Sequence, residues 1–356
     1  MALLQFAKPL EEELADRTAA MEACRQRFLD AGVDLTSFST PHSAADLAII
    51  REALGIEAWH LFGVSYGTRL SLESMRSHPE GIVTTILDSA YPSTTGGAGL
   101  YRAVGERVFD ELVATCAATD CSIANPDLAA DLAFIREEYN ENPIELTGEV
   151  FGEERTFQIT GDDVMGGLFN AMYDTSLIPV IPSVIGQFAD GDTTLTREFL
   201  DSGLDRLVGS AEGMGWATDC ADNGNRSTPD EFDAASRDAE AFTLIAMVAP
   251  GGMCHAFPVP PVDPAFNEPV DARIPALVLG GSLDPITPPE NVQEVAQHLD
   301  FAFPIVWPQV GHGVIFADDC AMELAVQWLR ESGEAKNVEC LVDRDDRAPW
   351  QPIVDG

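Results

Sequence analysis

Lysine is almost absent from this 356-residue sequence, which has two, Lys8 and Lys336. Lys and Arg together number 20 against 59 acidic residues, for a net charge of −39. A surface this acidic repels phosphate backbones and anionic headgroups, which argues against nucleic acid and against a membrane as partners. No apolar run reaches the roughly 18 residues that a membrane-spanning helix needs. Also missing are a P-loop, G-x-G-x-x-G, H-E-x-x-H and any C-x-x-C or His/Cys cluster with zinc spacing. The residues therefore call for no metal and no cofactor. The shortage of lysine has two readings: a saline source, where screening keeps an acid-rich surface soluble, or a GC-rich genome with ordinary acidity.

What is present is enough for a packed core. Hydrophobic residues make up 46% and charged residues 22%, which excludes a disordered chain. The length suits one large domain or a domain with an insertion. Seven cysteines occur, and pairing neighbours in sequence gives Cys116–Cys121, Cys220–Cys254 and Cys320–Cys340, with Cys24 left over. Disulfides imply an oxidising compartment, secreted or periplasmic. Yet MALLQFAKPLEEELADR has early acids and no long apolar stretch, unlike a signal peptide.

The order of patterns along the chain is that of a parallel α/β sheet interrupted once. Residues 8–32 read as a helix, and Ser43 is placed to cap a second over 44–54. HLFGVS (60–65) is a short strand, a helix runs from Thr68 to Ser77, and IVTTILDSA (82–90) is a buried strand. That is a βαβ unit. Residues 93–270 read as a mostly helical insertion, with helices near 100–116, 126–140, 162–175, 194–209 and 229–248 and a hairpin at 144–160. Strand, helix and strand then resume at 274–284, 289–298 and 303–312, before a last helix over 318–331. The expected domains are a core of 1–92 plus 271–356 and a cap of 93–270.

Gly63-Val64-Ser65-Tyr66-Gly67 matches G-x-S-x-G where a strand meets a helix, the context that a nucleophile elbow requires. The turn demands small residues two before and two after the serine. Ser65 is the candidate nucleophile, with the Tyr66 backbone N–H as an oxyanion donor. Of six histidines, His312 in Val310-Gly311-His312-Gly313 follows the last strand, where flanking glycines free a loop to carry a base. Asp284, in Gly280-Gly281-Ser282-Leu283-Asp284-Pro285, ends a strand and is the candidate acid, ahead of its rival Asp88. The order Ser65, Asp284, His312 is that of α/β-hydrolases.

GVSYGTRLSLESMRSHPEGIVTTILDSAYP, PALVLGGSLDPITPPENVQEVAQHL and VGHGVIFADDC together resemble the tripeptidyl-aminopeptidase-like branch of the α/β-hydrolases, close to prolyl aminopeptidases. The resemblance covers roughly Ala23 to Cys340. It implies a mostly parallel sheet with helices on both faces, a helical cap, the three disulfides as paired above, and roles for Ser65, Asp284 and His312 as nucleophile, acid and base. It also implies hydrolysis through an acyl-enzyme. One departure stands out. The family carries about four strands and an H-G-G-P-G-like oxyanion loop before the elbow, whereas 59 helical-looking residues precede His60 here. The expectation is a chain without the family's N-terminal third. Its first strand would then form an exposed sheet edge that favours a homo-oligomer.

The leading functional expectation is a serine esterase acting on small acyl esters. The alternatives are an aminopeptidase of tripeptidyl or prolyl type acting on short peptides, and a catalytically impaired remnant. A peptidase would need a cap carboxylate for the substrate ammonium, for which Glu212, Asp219 and Asp222 are candidates, though surface solvation is the favoured role for each in so acidic a chain.

Overall fold

The computed structural model describes residues 10–97, 100–150, 153–195, 212–224, 226–228, 230–231, 234 and 254–334. Along the chain the strands are β1 (Trp59–Val64), β2 (Ile82–Asp88), β3 (Ile144–Val150), β4 (Glu153–Ile159), β5 (Ala276–Gly281) and β6 (Ala302–Trp307). The helices are α1 (Leu10–Asp30), α2 (Thr40–Ala53), α3 (Tyr66–Ser77), α4 (Leu100–Ala117), α5 (Cys121–Ala124), α6 (Leu128–Glu141), α7 (Gly161–Ala171) and α8 (Ile181–Ala189). They continue as α9 (Glu212–Asn223), α10 (Glu290–Gln297), α11 (Val314–Ala317) and α12 (Asp319–Arg330). The helices expected near 194–209 and 229–248 fall largely outside the described residues, as does Cys340.

Four strands form one parallel sheet in the order β1-β2-β5-β6. Both of its faces are covered, and the alternation of β5 shows how. Leu277 and Leu279 join Trp307, Leu324 and Trp328 on the α11–α12 side. Ala276 and Val278 join Leu72, Met75, Val292 and Val295 on the α3–α10 side. A strand buried on both faces has no polar positions to alternate, which is why ALVLGG reads as a continuous apolar run. Among the described residues β1 is the outer strand, and its Phe62 is half exposed, 6.1 Å from the ring of Phe316.

The residues between β2 and β5 build a core of their own. Val108, Leu112, Ile135, Phe157, Leu168, Ile185 and Phe188 are buried together, and Leu283 from the loop after β5 joins them. The antiparallel hairpin β3–β4 spans the expected residues. Two disulfides fasten this region, Cys116–Cys121 and Cys220–Cys254. Cys320 is also disulfide-bonded, and Cys24 is free. The N-terminal helix α1 packs through Met21 and Phe28 against Ala217 of α9 and against Ala256 and Phe257.

Several local readings need correction. The cap of α2 is Ser39 rather than Ser43, its hydroxyl accepting from the His42 N–H, and Pro41 sits in the first turn. Helix α3 begins at Tyr66, two residues before Thr68, because the elbow serine leads straight into it. Helix α8 was not expected; Pro182 occupies its first turn, where a missing N–H costs nothing. Helix α9 was hidden by Gly213 and Gly215, which lower helix propensity by about 1 kcal/mol each.

Candidate functional site

In a parallel sheet all carboxyl ends lie on one side, so the loops after β1, β2, β5 and β6 converge there. Ser65, Asp284 and His312 lie on these loops, and Asp88 is the last residue of β2.

Ser65 sits in the turn between β1 and α3 with φ 57° and ψ −122°, a left-handed conformation that a serine adopts at a cost of about 1–3 kcal/mol. Backbone bonds hold it there. Its N–H donates to Asp88 O at 3.0 Å, and its carbonyl accepts from Thr68 N and Thr68 Oγ1. The turn is tight at Gly63, where a Cβ would lie 2.3 Å from the Gly67 carbonyl oxygen. A Cβ on Gly67 itself would meet nothing within 4 Å, so the small-residue requirement falls on Gly63 and not on both glycines. The Ser65 hydroxyl does not cap α3, which leaves it available for chemistry. The Tyr66 N–H belongs to the first turn of α3, where backbone donors have no intrahelical partner and the helix dipole favours negative charge.

Asp284 and His312 are in direct contact. His312 Nδ1 donates to Asp284 Oδ2 at 2.8 Å, and Asp284 is fully buried. The carboxylate also accepts from Ile286 N, Thr287 N and Thr287 Oγ1, so both its oxygens are satisfied. Burial opposes its ionisation, but the His312 charge and the hydrogen bonds from His312 and Thr287 outweigh it, holding the carboxyl below its ordinary value. Burial likewise opposes protonation of His312. The Asp284 charge and hydrogen bond, helped by Asp88, prevail and raise the imidazole above its ordinary value. With Nδ1 committed to Asp284, Nε2 is the basic position left to take a proton.

The segment after α7 and helix α4 reach over these loops. The Tyr173 ring stands edge-on to His312 at 5.0 Å, and Thr175 Oγ1 accepts the Gly311 N–H at 3.0 Å. Met172 O would lie 2.1 Å from a Cβ on Gly311, so this glycine is needed for close approach rather than for loop freedom. Arg107 of α4 donates to the carbonyls of Ser282 and Asp284. Asp88 makes no bond to the imidazole. Its oxygens accept the N–H groups of Val314 and Ile315 at 2.9 Å.

A cavity of about 380 Å³ opens beside the serine. Ser65, Tyr66, Tyr91, Leu100, Met214, Asp219, Ile286 and Thr287 are among its lining residues. The Gly96-Gly97 and Gly280-Gly281 pairs do not line it, and Gly280 and Gly281 are paired with Val306 and Trp307 inside the sheet. Asp222 has a different place. It is buried, accepts from Thr40 N and Thr40 Oγ1, and through Thr40 is linked to the Tyr66 hydroxyl. The side chain of Glu212 lies outside the described residues. Three other histidines have partners away from the site: His42 with Ser39, His60 with Thr84, and His298 with Asp271.

Residues missed from the sequence are Thr287, Arg107, Tyr173 and Thr175. Thr287 had a signal: an Asp three residues ahead of a Thr across Pro285 is an Asx-type turn.

Residues 243–340 match the family of TAP-like proteins. The serine protease Hip1 of Mycobacterium tuberculosis is 26% identical, covering 91% of this chain and 66% of that protein. The chain is thus similar to the TAP-like branch of the α/β-hydrolases. It spans 66% of the length of the mycobacterial relative, whose counterpart in Mycobacterium bovis matches equally. A shorter stretch of 54 residues is 43% identical to a "Probable proline iminopeptidase" of Streptomyces coelicolor, covering 15% of this chain and 16% of that protein. Among solved structures, an esterase from Thermogutta terrifontis is similar at 17% identity with a TM-score of 0.35, over 83% of this chain and 74% of that one.

Proposed function

We propose that this chain is a serine hydrolase that cleaves carboxylic esters of small acids through an acyl-enzyme. The observation that carries the reading is the 2.8 Å bond from His312 Nδ1 to buried Asp284, at the same sheet end as the strained, uncapped Ser65. In this reading Ser65 Oγ attacks the acyl carbon while His312 Nε2 takes its proton. Asp284 holds the ring and balances the imidazolium, and the Tyr66 N–H donates to the oxyanion. His312 then returns the proton to the leaving alkoxide. Water, deprotonated by the same nitrogen, releases the acid and frees the serine. Leu100, Met214 and Ile286 give the cavity apolar walls that suit a short acyl chain. An oxidising compartment, secreted or periplasmic, fits the disulfides.

A second reading is favoured by Asp219, a carboxylate in the wall of the Ser65 cavity. It would pair with the free ammonium of a peptide N-terminus, and the similarity to a serine protease supports this version. An assay of p-nitrophenyl butyrate beside prolyl and tripeptidyl p-nitroanilides separates the two. The ester reading expects kcat/KM on the ester to exceed that on either anilide by about 10²-fold or more, with Asp219→Asn leaving it unchanged. Faster anilide turnover, lost in Asp219→Asn, would establish the peptidase. No turnover of either class would leave the impaired remnant.

A further inference from the structure

At the end of β2, bonded to the chain just after His312, lies a buried carboxylate that the acyl-transfer scheme does not use. We infer that Asp88 is a positioning residue that couples the serine to its base, holding Ser65 through its main chain and the His312 loop through its side chain. The inference rests on the reading of Ser65 and His312 given above.

The geometry is specific. Asp88 ends β2, paired in register with Val64 of β1 and Leu279 of β5, so it occupies the centre of the described sheet's carboxyl edge. Its carbonyl accepts the Ser65 N–H at 3.0 Å. Its two carboxylate oxygens accept from Val314 N and Ile315 N, the second and third residues after His312. The next residue, Ser89, accepts the Gly313 N–H on Oγ at 2.8 Å and adopts φ 57° to do so. Three consecutive donors of the base loop are thereby fixed by the two residues that end β2. Asp88 and Ser89 are both fully buried, so no solvent competes for these bonds.

Val314 N–H and Ile315 N–H each take a different carboxylate oxygen, and a neutral amide would offer only one such acceptor. Keeping a charge there is costly, and burial pushes the Asp88 carboxyl up to about 6, against the N–H bonds and the attraction of His312. The return is electrostatic. The charged groups acting on the imidazole are Asp284, in contact with it, and Asp88. Asp284 also acts on Asp88, raising it. Asp88 thus adds a second anion that stabilises the imidazolium formed when the serine is deprotonated.

The test uses p-nitrophenyl butyrate and a fluorophosphonate label on wild type, Asp88→Asn and Ser89→Ala, with circular dichroism as the check on folding. For Asp88→Asn the expected result is a fall of about 10–100-fold in kcat with KM within about twofold. The acid limb of the normalised kcat/KM profile should also move to lower pH by up to about one unit, because His312 loses an anion that raised it. An unchanged kcat overturns the inference. So does a reduced kcat with an unmoved acid limb, which is what a purely structural contact would give. If Asp88→Asn does not fold, Ser89→Ala decides, since it keeps the charge and removes one loop bond. A fall of about 3–10-fold in its kcat at constant KM supports the inference, and an unchanged kcat overturns it. Failure of wild type to take the label would instead sink the serine-hydrolase reading, and this inference with it.

Discussion

The elbow and the acid–base loops reach the same place by different means. Ser65 is set chiefly by its own neighbours, with one outside bond from its N–H to the Asp88 carbonyl. Gly63 admits the Gly67 carbonyl, and Thr68 donates to the Ser65 carbonyl through its N–H and its hydroxyl. The Asp284–His312 pair is set from a distance, by Arg107, Tyr173 and Thr175 from the region between β2 and β5 and by Asp88 and Ser89 from β2. The proposed nucleophile is thus built mostly locally, whereas its proposed base depends on contacts spanning more than 100 residues. The nucleophile should therefore be sensitive to local sterics, and the base to changes far along the chain.

The sharpest way to break the comparison is at Gly63. Gly63→Val places methyl groups where a single Cβ already collides with Gly67 and with Ser71 Oγ at 2.8 Å. The expected outcome is loss of soluble folded protein, at a cost of about 3 kcal/mol or more, read by expression and thermal melting. Asp284→Asn should fold and lose about 10³–10⁴-fold in kcat, because the amide cannot balance the imidazolium or fix its tautomer. An effect under tenfold would mean that another group holds His312.

Smaller effects probe the distant supports. Arg107→Lys and Thr175→Val leave Ser65 untouched, and each should lower kcat by about 3–30-fold with little change in KM. Fluorophosphonate labelling of Ser65 should slow in parallel, because the serine keeps its place and loses its base. The mildest effect is in pH. His312 is raised above its ordinary value by Asp284 and Asp88. The base works when neutral, so kcat/KM should climb with pH through a midpoint above 6.5, and Asp284→Asn should move that midpoint down.

The same contrast explains what could be read in advance. The βαβ order, the elbow and the strand-end positions of Asp284 and His312 were legible, since each depends on local pattern: apolar runs ended by turn residues, and glycines at fixed offsets. The burial of β2 was legible in IVTTILDSA for the same reason. The partners of the base were not. Nothing in the sequence near Arg107 or Thr175 marks an approach to residues 136 or more positions away, because tertiary contact leaves no periodicity. Asp88 was visible as a strand-ending acid but not as a binder of the His312 loop, since its partners are backbone N–H groups, which every residue but proline presents. Helices α8 and α9 were obscured because proline in a first turn and glycine on a packed face are penalised by propensity and tolerated by context.

The most direct test of the account is covalent. Wild type incubated with a fluorophosphonate at neutral pH, digested and mapped by mass spectrometry, should carry one adduct on the peptide containing Ser65, with esterase activity lost in step and no labelling of Ser65→Ala. An adduct on another residue accompanying inactivation, or esterase turnover persisting in Ser65→Ala, would contradict it.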